Sequence, residues 1–205
     1  MTDLFAAGRD EGRVGVLFVC TGNICRSPLA EAVFRARSGG GVDGAGLPVG
    51  SAGLHAVVGA PMDGIPAQLA RDAGADSQHR ARQIDRDSVS RAALVLTMTR
   101  EQRTQLVREF PSALRRAFTL AEFLRLLGDP AAPVRPEAPA APVGLAASQR
   151  LGELVAGAGS ARGSLGSHDD DDIADPYGRS RETHERVGGR IVALVDELAR
   201  RLGTL

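Results

Sequence analysis

The strongest constraint on the fold is an alternation of short apolar runs with amphipathic helical patterns. The runs Val14–Val19 and Ala93–Met98 are continuous, rich in β-branched residues and of strand length, as expected for strands buried on both faces of a parallel sheet. Pro48–Ala52 and Arg116–Leu120 are weaker candidates for two more strands. Because strands that alternate with helices form βαβ units with right-handed crossovers, the sequence predicts an α/β fold built on a parallel sheet.

Helical patterns separate these runs. The first is expected to begin at Ser27 as N-cap with Pro28 as the first helical residue, a combination favoured at helix N-termini. Further helices are predicted over Pro66–Ala73, Arg100–Glu109 and about Arg181–Leu202. The last of these has the clearest apolar stripe.

Residues 128–172 depart from the alternation. Five of the chain's 11 prolines lie between positions 130 and 142, and a stretch rich in Gly, Ser and Ala follows from 157 to 167. Such a segment is interpreted as an insertion, largely mobile, with at most a short helix over Leu145–Ala156 and a solvated acidic run at its end. A docking arm is the functional alternative. We therefore expect a polar extension over residues 1–13 and one domain over residues 14–205 that carries this insertion.

Composition excludes several classes of protein. The net charge is zero and aromatic residues make up 3% of the chain, which disfavours a nucleic-acid binder. No apolar run reaches the roughly 18 residues of a membrane span, and residues 1–13 lack the apolar region of a secretory signal. We therefore expect a cytoplasmic protein without a membrane partner. Two cysteines cannot supply a disulfide framework or a four-ligand zinc site.

The segment after the first strand has the residues of an oxyanion-binding loop. It runs from Cys20 to Arg26 and Ser27 and leads into a predicted helix. The N–H groups of a tight loop that enters a helix converge and bind an anion, and Gly22 is expected to supply the positive φ that this loop needs. The Arg26 guanidinium can hold two phosphate oxygens, and the positive field favours the nucleophilic thiolate of Cys20. The loop is therefore predicted to bind a tetrahedral oxyanion and to present a sulfur for in-line attack on it.

This loop and several motifs beyond it closely resemble the low-molecular-weight protein-tyrosine phosphatases. The resemblance is carried by Val16–Glu31, Ser51–Gly53, Gly59–Asp63, His79–Ile84, Leu94–Met98 and Asp175–Tyr177. The departures are the N-terminal extension and the long segment before Asp175. The resemblance implies a three-layer α/β fold in which helices flank a four-stranded parallel sheet and the catalytic loop follows the first strand.

The resemblance also implies a two-step mechanism that uses no cofactor and no metal ion. Cys20 would attack phosphorus and form a phosphocysteine intermediate, which water then hydrolyses, while Arg26 holds the phosphate oxygens. Asp175 would protonate the leaving phenolate and later take a proton from water, since a phenolate needs an acid as it leaves. The phosphate-binding loop would consist of Thr21, Gly22, Asn23, Ile24 and Cys25. Asn23 and His79 would brace that loop, and Ser27 would hydrogen-bond the Cys20 thiolate.

Substrate class is suggested by the residues around the cleft. Family members that act on phosphoarginine carry Thr at the position of Ile24, so the apolar side chain favours an aryl phosphate. Leu54, His55 and Tyr177 are the expected cleft wall, with Tyr177 against the substrate ring. Arg179–Thr183 resembles the bacterial subgroup that acts with tyrosine autokinases. The expected partner is therefore a tyrosine-phosphorylated protein, a bacterial tyrosine autokinase among the candidates, with phosphate or a similar oxyanion in the active site.

Other functions remain open at this point. A phosphoarginine phosphatase would have a similar loop, and so would a thioredoxin-coupled arsenate reductase, although this chain has no cysteine after Cys25 for the electron relay. A non-catalytic phosphotyrosine-binding module is a third alternative, disfavoured because Cys20, Arg26 and Asp175 are all present. The resemblance also suggests a reversible disulfide between Cys20 and Cys25 that protects the nucleophile from over-oxidation; an inert buried thiol is the alternative for Cys25.

Overall fold

The computed structural model describes residues 15–39, 47–128 and 143–204, so the predicted extension over residues 1–13 lies outside the described residues. The described residues form one sheet of four parallel strands in the order β2-β1-β3-β4. The strands are β1 (Gly15–Cys20), β2 (Val49–Gly53), β3 (Ala92–Thr97) and β4 (Ala117–Thr119). All four predicted strands are present, with bounds that shift by one residue.

Helices cover both faces of this sheet. They are α1 (Arg26–Arg37), α2 (Gly64–Asp72), α3 (Arg86–Arg91), α4 (Arg100–Glu109), α5 (Leu120–Leu126), α6 (Val143–Leu165) and α7 (Arg181–Leu202). Along β1, Val16 and Phe18 belong to a larger core shared with α1, α2, α5, α6 and α7, whereas Leu17 and Val19 belong to a smaller core shared with α3 and α4. Alternate side chains of a strand point to opposite faces. The fold therefore has three layers, which confirms the predicted class.

The start of α1 differs from the prediction. Cys25 precedes the helix as its N-cap residue without a side-chain cap, and Arg26 is the first helical residue. Ser27 is not the N-cap, because its hydroxyl faces the preceding loop and contacts Cys20 and Asn23. The prediction failed because the same side chain could satisfy either the helix N-terminus or the loop, and the packed loop uses it.

The described part of the segment 128–172, residues 143–172, is more regular than predicted. Instead of a short helix, α6 spans 23 residues, and its Leu151 and Ala158 are fully buried in the larger core. The Arg162 guanidinium lies 3.8 Å above the Phe118 ring, and its Nε donates to Glu122 Oε1 at 3.0 Å. This helix is therefore packed as part of the domain. The proline-rich stretch 129–142 lies outside the described residues.

The sheet topology places the functional site at its carboxyl edge. The helix after β1 packs on one face and the helix after β3 packs on the other, so a crevice opens between the ends of these neighbouring strands. The oxyanion-binding loop follows β1 at this point. In the part of the chain that is described, no helix combines the length and apolar character that a bilayer span requires.

Candidate active site

The loop between β1 and α1 directs its carbonyl groups outward. Five successive carbonyl oxygens accept hydrogen bonds from groups outside the loop: Cys20 O from Leu54 N (2.9 Å), Thr21 O from His55 N (2.9 Å), Gly22 O from Val57 N (3.0 Å), Asn23 O from the His79 ring (2.7 Å) and Ile24 O from Asp63 N (2.8 Å). No peptide bond in the described residues is cis. Because C=O and N–H point in opposite directions across a planar trans peptide, the N–H groups of residues 21–25 face the concave side. The loop is therefore a nest of five amide donors, which is an anion-binding geometry.

The left-handed residue of this loop is Asn23, with φ 55°, and Gly22 is not among the glycines with positive φ. The prediction for Gly22 was therefore wrong. Asn is one of the few residues that adopt this conformation readily, and its side chain is fixed on both sides. Asn23 Oδ1 accepts from Arg82 N at 2.8 Å, while Nδ2 donates to Ser27 Oγ at 2.9 Å and to Ser51 Oγ at 2.8 Å.

This network orients a proton toward the cysteine at the end of β1. Cys20 Sγ lies 3.0 Å from Ser27 Oγ. Because Ser27 Oγ already accepts from Asn23, its own O–H is available to donate to the sulfur. Ser51 in turn donates to Glu31 Oε2 at 2.6 Å, which orders the outer end of the network. A hydroxyl donor at this distance stabilises a thiolate. Ser51 and Glu31 were not predicted as site residues.

His79 supports the loop from behind. Its Nε2 lies 2.7 Å from the carbonyl oxygen of Asn23. Burial lowers the pKa of His79 below its ordinary value, and this effect outweighs the opposing effects of the Asn23 carbonyl and of Glu31. A neutral imidazole must donate its Nε2 proton to that carbonyl oxygen, since a carbonyl only accepts. His79 therefore fixes the orientation of the central peptide of the loop.

Arg26 and Asp175 meet at the mouth of the nest, although they are distant in sequence. The Arg26 side chain is 4% exposed and that of Asp175 is 52% exposed. Arg26 Nη2 donates to Asp175 Oδ2 at 2.5 Å, and Nη1 donates to Ile173 O at 3.0 Å. Asp175 Oδ1 accepts from Tyr177 N at 3.1 Å. The buried Arg26 Nε has no partner among the described residues, so this donor is available to an oxyanion held by the adjacent amides.

A cavity of about 250 Å³ joins these groups. It is lined by Cys20, Thr21, Gly22, Ile24, Cys25, Arg26, His55, Val57, Asp175 and Tyr177. Leu54, predicted as part of the cleft wall, is instead 2% exposed and packs in the smaller core. Val57, three residues further along the same segment, lines the cavity in its place. Tyr177 is 66% exposed at the rim, and His55 Nε2 lies 2.7 Å from Gln105 Nε2 of α4.

Cys25 points toward a different partner. Its Sγ lies 3.6 Å from Asp63 Oδ2. Burial first, and then the negative charge and hydrogen bond of Asp63, raise the pKa of the Cys25 thiol to about 12. Cys20 and Cys25 are both free thiols in this structure. The disulfide between them stays a prediction.

A second, larger cavity of about 550 Å³ lies beside α1 and is lined in part by Glu31, Arg35 and His79. Its lining residues include no Ser, Thr or Cys, so it offers no hydroxyl or thiol nucleophile. Within the described ranges, no group of three or more His, Cys, Asp or Glu side chains is arranged to hold a metal ion. The smaller cavity at the loop is therefore the candidate active site.

Comparisons with known proteins identify relatives of this chain. The family model described as "Low molecular weight phosphotyrosine protein phosphatase" matches residues 15–134. A protein-arginine-phosphatase of Geobacillus stearothermophilus is 28% identical over 189 residues, 92% of this chain and 96% of the relative. The probable low molecular weight protein-tyrosine-phosphatase EpsP of Ralstonia nicotianae is 38% identical over 108 residues, 52% of this chain and 70% of the relative. The solved structure of the YwlE arginine phosphatase from Geobacillus stearothermophilus is 27% identical and superimposes with a TM-score of 0.65, covering 93% of this chain and 94% of that one.

Proposed function

The chain belongs to the low molecular weight phosphotyrosine protein phosphatase family, and on this premise we propose that it hydrolyses phosphotyrosine in proteins with Cys20 as nucleophile and Asp175 as general acid and base. The observation that carries the proposal is the convergence of five inward-facing amides, the Arg26 guanidinium and the Cys20 sulfur on one cavity, with a carboxyl group at its mouth. The family is one of protein phosphatases, and this chain is accordingly a hydrolase of the low molecular weight protein-tyrosine-phosphatase class.

The first step transfers the phosphoryl group to sulfur. The loop amides and Arg26 hold the phosphate oxygens, and the Cys20 thiolate forms a bond to phosphorus as the bond to the phenol oxygen breaks. Phosphate oxygens compete with Asp175 for Arg26 Nη2, which frees the Asp175 carboxyl. In its protonated form this carboxyl donates its proton to the leaving oxygen and becomes a carboxylate. The Ser27 hydroxyl stabilises the thiolate before attack.

The second step regenerates the enzyme. Asp175, now ionised, takes a proton from water as the water oxygen attacks phosphorus, and the sulfur leaves as a thiolate that again accepts from Ser27. The amides and Arg26 remain bound to the equatorial oxygens through both steps, so the same donors stabilise both transition states.

The cavity walls favour an aryl phosphate. Ile24 and Val57 offer apolar surface beside the nest, and Tyr177 offers an aromatic face at the rim. Contact with apolar walls contributes more binding free energy for a flat aromatic ring than for a charged guanidinium, which loses solvation there. Asp175 is the one carboxylate among the residues that line the cavity, so a substrate guanidinium would have a single acidic partner there. The substrate proposed is therefore a tyrosine-phosphorylated protein, such as a bacterial tyrosine autokinase, in the cytoplasm.

Phosphoarginine is the second candidate substrate, because a relative that matches 92% of this chain in sequence and a solved structure that covers 93% of it are both arginine phosphatases. The two candidate substrates are distinguished by comparing kcat/KM for a phosphotyrosine peptide with kcat/KM for a phosphoarginine peptide of the same sequence. We expect the phosphotyrosine peptide to be preferred, and an Ile24→Thr variant to shift the ratio toward phosphoarginine. A wild-type preference for phosphoarginine would replace the proposed substrate while leaving the loop chemistry intact.

The catalytic proposal is tested by hydrolysis of an aryl phosphate by the wild type and three variants. We expect no turnover for Cys20→Ser, with binding of the substrate retained, and a loss on the order of 10²–10⁴ in rate for Asp175→Asn, which is the usual contribution of a general acid. Asp169→Asn is the matched control, because the Asp169 side chain is fully exposed. Activity of Cys20→Ser at the wild-type rate would overturn the mechanism.

A further inference from the structure

A partly buried ion pair holds the segment that leads to Asp175. Arg125 at the end of α5 binds both carboxylate oxygens of Asp171, with Nε 2.8 Å from Oδ1 and Nη2 2.9 Å from Oδ2. The Asp171 side chain is 1% exposed, and its Oδ2 also accepts from His168 N at 2.8 Å. The sequence predicted a solvated acidic run here. For Asp171 that prediction was wrong, because the residue is folded inward onto an arginine.

The backbone around Asp171 is docked on the ends of two strands. Asp171 O accepts from Thr119 Oγ1 at 2.6 Å, and Ile173 N donates to Met98 O at 2.8 Å. Ile173 is fully buried in the larger core. These contacts place residues 171–173 at the carboxyl edge of β3 and β4. Asp175 follows two residues later.

Both side chains of the ion pair stay ionised. Burial acts to raise the pKa of Asp171, but hydrogen bonds from Arg125 and from the His168 N–H lower the pKa below its ordinary value. The hydrogen bond to Asp171 likewise raises the pKa of Arg125. The ion pair therefore persists over the pH range in which the enzyme would be assayed.

We propose that Arg125 and Asp171 are positioning residues for Asp175. The Asp175 carboxyl is half exposed, and its side-chain contacts are Arg26 and the Tyr177 amide. A bound phosphate competes for Arg26, so the position of Asp175 in the complex depends on where residues 171–173 are docked. Proton transfer needs an approach of about 2.6–3.2 Å. A small displacement of this segment would therefore slow protonation of the leaving group more than it affects the oxyanion site, which the segment contacts through the Ile173 carbonyl that accepts from Arg26 Nη1.

This inference rests on the proposed role of Asp175, and its test compares two leaving groups. Phenyl phosphate has a poor leaving group that needs protonation, whereas 2,4-dinitrophenyl phosphate has a good one that does not. We expect Asp171→Asn to lower kcat/KM for phenyl phosphate on the order of 10-fold, less than removal of the acid itself. We expect the value for the dinitrophenyl ester to change less than about 2-fold, because the nest and Cys20 are untouched.

The matched control is Asp169→Asn, which makes the same change in the same acidic run at a fully exposed side chain 3.4 Å from Arg100. It should match the wild type on both esters. Arg125→Lys keeps the charge but loses the two-pronged contact, and we expect it to show the same ester-dependent loss. If Asp171→Asn is unfolded at the assay temperature, as its melting curve would show, Arg125→Lys decides the question.

The outcomes separate the inference from the proposed function. Equal values for Asp171→Asn and Asp169→Asn on phenyl phosphate, or equal losses on both esters, would overturn the positioning role. Asp175→Asn, measured alongside, should lose activity mainly on phenyl phosphate. If it does not, the general acid itself is misassigned and the proposed mechanism fails. If it does while Asp171→Asn and Arg125→Lys resemble the wild type, only the positioning role is wrong.

Discussion

Single residues outside the phosphate-binding loop determine its shape. The loop carbonyls are held by backbone groups of residues 54–63 and by His79, so its amides face inward only while these neighbours stay in place. Asn23 takes the one left-handed position among the described non-glycine residues. Substitutions of the residues that contact the loop should therefore alter its shape, as substitutions within the loop would.

Gly53 is one such support, because the end of β2 passes close to the loop. A Cβ at Gly53 would lie 2.5 Å from Thr21 O and 3.0 Å from Ala56 Cα, and both are backbone atoms. We predict that Gly53→Ala lowers the free energy of unfolding by about 1–3 kcal/mol, as overpacking does, and lowers phosphatase activity. Gly22→Ala is the control for stability, since a Cβ there meets only ordinary contacts at 3.5 Å or more. Urea denaturation measures the unfolding free energy of both variants, and equal values would contradict the prediction.

His79 should make stability depend on pH. Burial lowers its pKa below the ordinary value of 6.5, so the unfolded chain takes up this proton more readily than the folded protein does. The contribution to stability is therefore present above pH 6.5 and is lost as pH falls toward and through the lower pKa of the folded state. We predict that the free energy of unfolding falls less between about pH 7.5 and about pH 5.5 in His79→Gln than in the wild type. Identical pH dependence in the two proteins, measured by urea denaturation, would exclude this role.

At the scale of elements, α6 is a structural part of the domain. It packs on the same side of the sheet as α5 and α7. Its Arg162 donates hydrogen bonds to Glu122 and to the carbonyl of Ala117, the first residue of β4. Arg125 also donates to Gly166 O at 2.9 Å. Arg125 therefore contacts both the residue that follows α6 and the docked segment before Asp175.

The packing of α6 can be tested with two leucines of the same helix. Leu151 is fully buried and Leu165 is 57% exposed. We predict that Leu151→Ala lowers the free energy of unfolding by about 2–5 kcal/mol, whereas Leu165→Ala changes it by less than about 0.5 kcal/mol. Chemical denaturation of both variants is the measurement. A loss below about 1 kcal/mol for Leu151→Ala would show that α6 does not pack on the core in solution.

At the scale of the whole molecule, oxyanion binding should be coupled to global stability. A ligand that binds only the folded protein stabilises it by about 2.7 kcal/mol at 100 times its Kd. We predict that inorganic phosphate raises the Tm of the wild type, and that Arg26→Met loses most of this increase because the guanidinium supplies the bidentate contact. Sodium chloride at equal ionic strength is the control. An undiminished increase in Arg26→Met would place the bound phosphate elsewhere.

The sequence by itself determined the fold class and the identity of the residues in the loop that follows β1. Both are encoded locally: the apolar runs give buried strands, and Cys20, Gly22 and Arg26 lie within one strand-to-helix connection. The bounds of α4 were predicted correctly for the same reason, since capping and periodicity act within one turn. Asp175 was found through the family resemblance and not through its spacing.

Only the tertiary structure decided which distant residues meet. Asp175 contacts Arg26 across 149 positions, and Asp171 contacts Arg125 across 46. It also decided that Asn23 takes the left-handed conformation, that Leu54 is in the core, and that α6 is packed. Periodicity reports which face of an element is buried but carries no information on its partner. Whether an acidic side chain is solvated or buried against an arginine depends on where the packed sheet and helices bring that arginine.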